Sequence, residues 1–271
     1  MLKRILIGIA GTPAMTIMAK NAIDLAQRND AAIHVVSVVD LEPPARTVSL
    51  GGAKPGGSSN KIRQNAQKGI EEIEAMCSDN NVPFKYIDSD ADPVDSVVDA
   101  WRYADLVMLG LQSWFKREVI EKPDDVLLKL LMKGVRPIIA FPEEVIEVKK
   151  VLIAYSGSPE SAFAMKRFVH LNMWENMEIN LATFGKSSIL AEQLLGEAEA
   201  YCRDHGFDPK VEAVDGDMTD PGNTVEAHAE KVGADIIVLG SGYNSALFKS
   251  SFSSTTIQLI KNSPRALFMS H

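Results

Sequence analysis

Two stretches of this sequence are near copies of each other: KRILIGIAGTP at Lys3–Pro13 and KKVLIAYSGSP at Lys149–Pro159. A second pair follows in the same order, ADLVMLG at Ala104–Gly110 and ADIIVLG at Ala234–Gly240. Each stretch holds a short apolar run that ends at glycine and small residues, which is typical of a parallel strand buried on both faces. A period near half the chain length predicts two duplicated domains rather than a solenoid.

Strand and helix signals alternate in both copies. Apolar runs such as Ile33–Val39 and Glu178–Thr183 alternate with helical patterns such as Met15–Arg28 and Ser188–His205. This alternation predicts right-handed crossovers and a parallel sheet with helices on both faces. The predicted fold class is α/β, with two tandem doubly wound five-stranded parallel sheets of Rossmann-like type. We place the domains at residues 1–142 and 149–271.

Composition narrows the class of protein. The chain has 271 residues, 46% hydrophobic and 24% charged, which are values of globular domains. A net charge of −8 argues against a general nucleic-acid or anionic-membrane binder, and no apolar run approaches the roughly 20 residues that a membrane span needs.

Cys77 and Cys202 lie in equivalent helices of separate repeats, so we expect no mutual disulfide and a cytoplasmic, reducing location. The apolar N-terminus resembles a signal peptide, but the same motif recurs internally at Lys149, which predicts a strand.

The first copy contains an insertion that the second lacks. Glu42–Asn60 reads EPPARTVSLGGAKPGGSSN, where the second copy has a brief turn at Gly185–Ser187. Glycine, proline and serine at this density predict a mobile surface loop that packs no core. A lid or a partner-docking segment is the alternative.

The second copy carries a candidate anion site. In open parallel sheets, ligands bind at the carboxyl ends of the strands, near the point where strand order reverses. There the first strand is followed by SGSP, and the fourth strand by GSGYNSALFKSSFSSTT. Glycines allow close backbone approach, while hydroxyls and free N–H groups at a helix start favour phosphate; helix capping alone explains one or two of the hydroxyls. The candidate residues are Ser156, Gly157, Gly240, Gly242, Ser253, Ser254 and Thr255.

On these residues and the repeated A-D-[LI]-[IV]-x-[LM]-G strand, the whole chain resembles a tandem universal stress protein. In nucleotide-binding members of that family, the pattern G-x-x-G-x9-G-[ST] after the fourth strand holds the phosphates of ATP, and an Asp ends the first strand. Gly240 and Ser254 match this pattern, whereas Tyr243, Ser253 and Ser156 replace the second Gly, the third Gly and the Asp. The resemblance therefore implies weak ATP binding in the second domain.

The first copy departs further from the family pattern. Gly110 remains, but Ser113, Pro123 and Asp124 stand at the other three positions, and Ala10 replaces the Asp. A proline lacks an N–H donor and adjacent carboxylates repel phosphate. We therefore expect no nucleotide in the first domain.

The expected function is that of a non-catalytic stress-response protein, because neither copy shows a nucleophile–base pair or paired carboxylates. No metal is expected, since His205 beside Cys202 fits a solvated helix face. One alternative is an interaction module that has lost nucleotide binding. Another is an ATP-pyrophosphatase-type enzyme, from the likeness of SGSPES at Ser156–Ser161 to the S-G-G-x-D-S loop.

The resemblance also bears on assembly. In relatives the last strands meet across a two-fold axis, which here implies that Ile138–Phe141 and Ala266–Met269 come together in an internal pseudo-dimer. Both segments are apolar and would otherwise be sheet edges prone to aggregation. Formation of a homodimer by two chains stays open.

Overall fold

The computed structural model describes residues 2–9, 14–37, 57–88, 93–110, 137–142, 147–185, 188–241, 243–244, 251–252 and 254–270. The chain divides into two compact units, Leu2–Arg136 and Pro137–His271, and Met1 is grouped with the latter.

The first unit is a parallel sheet with helical crossovers. Its elements are β1 (Arg4–Ile9), α1 (Ala14–Asn29), β2 (Ala32–Ser37), α2 (Gly57–Asp79), β3 (Phe84–Ile87), α3 (Pro93–Trp101) and β4 (Leu106–Gly110). The strands lie in the order β3-β2-β1-β4. Ile5 pairs with Ile33 on one side and with Leu106 on the other. The apolar N-terminal run is therefore a central, fully buried strand, as the repeat predicts.

The second unit repeats this order and adds strands. Its elements are β5 (Ile138–Phe141), β6 (Lys150–Ala154), α4 (Pro159–Leu171), β7 (Glu178–Phe184), α5 (Ser188–Asp204), β8 (Lys210–Val214), α6 (Pro221–Val232), β9 (Ile236–Gly240), β10 (Tyr243–Asn244), β11 (Ser251–Phe252), α7 (Ser254–Asn262) and β12 (Ala266–Ser270). The main sheet of this unit runs β5-β12-β9-β6-β7-β8. Its pairings are parallel except that of β12 with β5, where Phe268 lies opposite Ile139 in an antiparallel register.

Strand order reverses between β6 and β9. The chain moves outward from β6 to β7 and β8, and then returns to the other side of β6 as β9 and β12. This is the topological switch point at which a doubly wound sheet opens a crevice for ligands. The predicted α/β fold with doubly wound, mostly parallel sheets is confirmed. β5 falls within the second compact unit although it is the fifth strand of the first copy in sequence order.

The repeated Ala-Asp pair has a structural role in both units. The carboxylate of Asp105 accepts hydrogen bonds from the backbone N–H groups of Lys3 and Arg4, at 2.9 and 3.0 Å. The carboxylate of Asp235 accepts from those of Lys149 and Lys150, at 2.8 and 2.7 Å. Each carboxylate thus ties the start of the fourth strand of its copy to the start of the first strand.

The insertion is partly helical. Helix α2 begins at Gly57, so the last four residues of the predicted loop, Gly57–Asn60, belong to its first turn and the prediction is wrong there. Gly-Ser-Ser-Asn is the kind of sequence that occurs both in loops and at helix starts, because its side chains can cap free backbone N–H groups. The sequence also predicts a helix at Asp125–Lys133; these residues, like residues 42–56, lie outside the described residues.

Candidate functional site

The loop after β6 turns sharply into α4. Gly157 has a φ of +77°, in the left-handed region that favours glycine. Ser158 is the N-cap of α4, because its Oγ accepts a hydrogen bond from the backbone N–H of Ser161 at 3.2 Å. Pro159 follows at the first helical position, where the missing N–H costs nothing. The Gly-Ser-Pro part of this motif therefore contains the signals that start a helix.

Ser156 replaces the family's aspartate, and its hydroxyl is already engaged. Ser161 Oγ donates to the carbonyl of Ser158 at 2.9 Å, so it accepts from Ser156 Oγ at 3.2 Å. Ser156 Oγ in turn accepts from the backbone N–H of Ser158 at 3.3 Å. The hydroxyl proton of Ser156 is therefore donated within the loop, so only one lone pair of its Oγ is left for a ligand.

Gly240, at the end of β9, lies against the first turn of α4. A Cβ at this position would stand 2.5 Å from Glu160 C, 2.5 Å from Ser161 N and 2.8 Å from Glu160 O. These are backbone atoms, and real Cβ contacts under 3.0 Å are essentially never seen. The close approach that the sequence pattern predicts for Gly240 is therefore made by the chain itself.

Ser241 lies at the same edge and is not among the candidate residues predicted from the sequence. It is fully buried, and its backbone N–H donates to the carbonyl of Ser270 at 2.9 Å. Its Oγ has no hydrogen-bond partner within the described part of the chain. A buried hydroxyl without a partner costs about 1–3 kcal/mol, so a ligand atom at hydrogen-bond distance would relieve a penalty already present. No sequence signal marks Ser241, because a serine after a strand is common.

The segment after β9 is partly ordered as strand. Tyr243 pairs with Phe252, and Asn244 with Ser251, in a short antiparallel ladder. These four residues thus form backbone pairs within the segment that follows the fourth strand. Tyr243, at the position of the family's second glycine, occupies a ladder position instead.

The helix that would face the phosphates is α7, which begins at Ser254. Thr255 is partly exposed and Thr256 is buried, and the first turn contains no acidic residue. By contrast, the first turn of α4 carries Glu160. Because the N-terminal end of a helix attracts anions and a carboxylate opposes them, α7 is the better suited of the two helix starts.

Several candidate residues lie outside the described part of the chain. In the second copy these are Gly242, Ser253 and the side chain of Ser254. In the first copy they are Ala10, Ser113, Pro123, Asp124 and Asp125. The asymmetry between the two copies therefore stays a prediction from sequence.

Metal-binding clusters and membrane-spanning helices were also sought among the described residues. No group of three or more His, Cys, Asp and Glu side chains there could hold a metal ion. No helix that the structure describes has the length and apolar character needed to cross a membrane. Cys77 and Cys202 are both buried free thiols, each in its own unit.

The two copies of this fold match one family model, that of the universal stress protein family, at residues 1–120 and 147–270. The chain belongs to the universal stress protein family. It is a tandem member, as the repeated motifs predict. No curated protein matches the chain.

Solved structures show the same two-domain fold at low sequence identity. A universal stress protein from Archaeoglobus fulgidus DSM 4304 is 16% identical, with a TM-score of 0.71, and the match covers 98% of this chain and 97% of that one. A functionally unknown protein from Pseudomonas aeruginosa PAO1 gives 12% identity and a TM-score of 0.63, covering 99% and 92%. A putative universal stress protein from Pseudomonas aeruginosa UCBPP-PA14 is 13% identical, with a TM-score of 0.63, and the match covers 99% of this chain and 92% of that one. At these identities the likeness concerns the fold alone.

Proposed function

We propose that this universal stress protein is a non-catalytic, cytoplasmic stress-response protein whose second domain binds an adenine nucleotide such as ATP weakly. The observation that carries the proposal is the buried, unpartnered hydroxyl of Ser241 at the carboxyl end of β9. It lies at the switch point of the sheet, where doubly wound folds bind ligands. The start of α7, which is free of acidic residues, supplies an anion-attracting helix end in the same unit.

The binding is expected to be weak for two reasons. Ser156 has no charge, and its hydroxyl is held by Ser158 and Ser161 rather than free for the sugar or base. Glu160 brings a negative charge to the first turn of α4. The first effect removes an interaction that a tightly binding site would have, and the second adds repulsion of the phosphates. Because no nucleotide is expected in the first domain, we expect at most one nucleotide per chain.

Titration calorimetry with Mg·ATP on the untagged full-length chain tests this proposal. Ser254→Asp places a carboxylate at the first residue of α7 and should lower the affinity at least tenfold by repelling phosphate. Ser188→Asp is the matched control, because it places the same charge at the first residue of α5. It should leave the affinity unchanged.

Ser241→Ala separates a binding role from a structural one. In the free protein the hydroxyl has no partner within the described residues, so its removal should not lower stability. A lost hydrogen bond to a charged group is worth about 1.5–3 kcal/mol, so the affinity should fall by about tenfold or more. Two nucleotides per chain, or an affinity that neither Ser241→Ala nor Ser254→Asp changes, would contradict the proposal.

The second candidate function is an interaction module without a nucleotide. It is favoured by the observation that Gly240, Gly157 and the serines of the loop are all accounted for by helix packing and capping. Ile189, Leu190 and Met218, which follow β7 and β8, are exposed by 81%, 44% and 46% and offer apolar surface to a partner. No ATP binding by the wild-type chain would favour this alternative.

We further propose that residues 1–142 and 149–271 form an internal pseudo-dimer. The antiparallel pairing of β5 with β12 supports it, because β5 ends the first copy and β12 ends the second. Each half expressed alone would then expose an apolar strand edge and should aggregate or dimerise. Sedimentation of the two separate halves tests this: a stable, soluble monomer of either half would contradict it.

A further inference from the structure

Two histidines far apart in sequence meet at the C-terminal ends of neighbouring helices. His170 lies in the last turn of α4, and His205 follows the last residue of α5. Their Nε2 atoms are 3.2 Å apart, and the two ring centroids are 4.9 Å apart with an interplanar angle of 42°. Both side chains are exposed, so a dissolved ion can reach them.

The hydrogen bonds around His205 fix where its proton lies. His205 Nδ1 is 2.9 Å from the backbone carbonyl of Tyr201, and a carbonyl can only accept. Nδ1 therefore carries the proton, and the Nε2 of the neutral ring presents a lone pair toward His170. A backbone carbonyl on the second nitrogen is the arrangement that orients metal-binding histidines.

His170 Nε2 cannot satisfy both of its neighbours. Besides His205 Nε2, it lies 2.7 Å from the hydroxyl of Tyr201. If it accepts the Tyr201 proton, two lone pairs face each other at 3.2 Å. If it carries a proton and donates to His205, the proton of the Tyr201 hydroxyl cannot be given to it. A cation held by both Nε2 atoms takes up both lone pairs and so removes the repulsion between them, while the partly exposed Tyr201 hydroxyl is left to donate to water.

We propose that His170 and His205 form a two-imidazole binding site for a late first-row divalent transition-metal ion such as Zn²⁺ or Cu²⁺. A Zn–N bond of about 2.0–2.1 Å with a tetrahedral angle puts two ligand nitrogens about 3.3 Å apart, and the structure has 3.2 Å. Imidazole suits Zn, Cu and Ni, and water would complete the coordination. The site involves binding only and no redox step.

The charges around the site work in both directions. Helices α4 and α5 both end here, and the C-terminal end of a helix favours a cation. Lys166 and Arg167 lie on the same helix as His170, and the Lys166 Nζ is 5.6 Å from the centroid of the Tyr201 ring. The two cations repel a metal ion and therefore limit its affinity, while the two helix ends favour it.

The sequence predicts that His205 lies on a solvated helix face beside Cys202. The structure shows that Cys202 is buried, and that the partner of His205 comes from another helix. Only the fold brings His170 and His205 together, since they are 35 residues apart. The pair is not among the groups of three or more His, Cys, Asp and Glu side chains considered above, because it has only two histidines and a tyrosine hydroxyl.

The test uses the untagged full-length chain, stripped of metal, with Zn²⁺ as the probe in titration calorimetry. His170→Gln and His205→Gln should each lower the affinity for the first Zn²⁺ at least tenfold. His34→Gln is the control, because His34 lies on β2 in the other unit. It should leave that affinity unchanged.

Two measurements on the wild-type chain need no variant. In long-range ¹H–¹⁵N spectra, the Nε2 resonances of two histidines should shift together as one equivalent of Zn²⁺ is added, and those of buried His228 should not. Pulsed EPR with Cu²⁺ should report two equatorial imidazoles. One imidazole or none, or Zn²⁺ affinity that falls equally in His34→Gln, would overturn the proposal.

Discussion

The contact between Gly240 and the start of α4 can be tested with a single methyl group. Gly240→Ala places a Cβ 2.5 Å from two backbone atoms of α4, about 0.9 Å inside the shortest ordinary contact of 3.4 Å. Backbone cannot rotate away as a flexible side chain can. Either α4 shifts off the sheet or β9 bends, and both movements disturb a packed core that includes Phe168.

Overpacking of this kind costs about 1–3 kcal/mol, and a clash with backbone places Gly240→Ala in the upper half of that range. For a unit the size of Pro137–His271, 1 kcal/mol corresponds to about 4 °C in melting temperature. We therefore expect a fall of roughly 8–12 °C for the transition of this unit in scanning calorimetry. Urea unfolding should give the same ranking of variants.

Gly196→Ala is the matched control for the same chemical change. Gly196 lies within helix α5 of the same unit, and a Cβ there would meet nothing within 4 Å. Alanine is favoured over glycine inside a helix by about 0.5–1 kcal/mol, so this variant should melt slightly higher than wild type. If Gly240→Ala melts within 2 °C of wild type while ATP binding is lost, Gly240 serves the ligand and the packing argument is refuted.

Two further predictions concern buried titratable groups. Burial lowers the pKa of His228, and the nearby carboxylate of Glu212 only partly opposes this, so protons favour the unfolded chain below about pH 6.5. The free energy of unfolding in urea should therefore fall as the pH is lowered from 7.5 to 5.5. This fall should be smaller in His228→Gln, and an equal fall in wild type and variant would contradict the prediction. Burial raises the pKa of both Cys77 and Cys202 to about 11, so Ellman's reagent at pH 7.5 should label neither thiol in the native chain and both in denaturant. Labelling of either thiol before unfolding would show that its helix opens locally.

The fold could be predicted well because buried parallel strands leave a strong sequence signal. Val151, Leu152 and Ile153 are all buried by neighbours on both faces of the sheet, which requires a continuous apolar run. The repeat then supplies the element order a second time. The errors fall where composition is ambiguous, as at Gly57–Asn60, whose residues suit both a loop and a helix start.

The candidate site could be predicted only in part, because its motif residues have two kinds of role. Ser156 and Gly157 are predicted anion-site residues, yet the left-handed turn and the hydrogen bonds within the loop call for the same residue types. Ser241 escaped prediction for the opposite reason, since its importance comes from burial without a partner, which no local sequence records. The pair His170 and His205 needs the packing of two helices before it exists.

The duplication allows structural and functional residues to be separated within one chain. Asp105 and Asp235 are kept in both copies, and each makes the same two hydrogen bonds to the start of a first strand, so folding alone explains their retention. Gly110 and Gly240 are kept too, and the packing of Gly240 on α4 gives it a reason independent of any ligand. The copies differ in the sequence that follows these glycines. Sequence differences at that edge are what loss of a ligand site from one domain would produce. The variants at Ser241 and Ser254 therefore carry more information about function than any change at the shared motif.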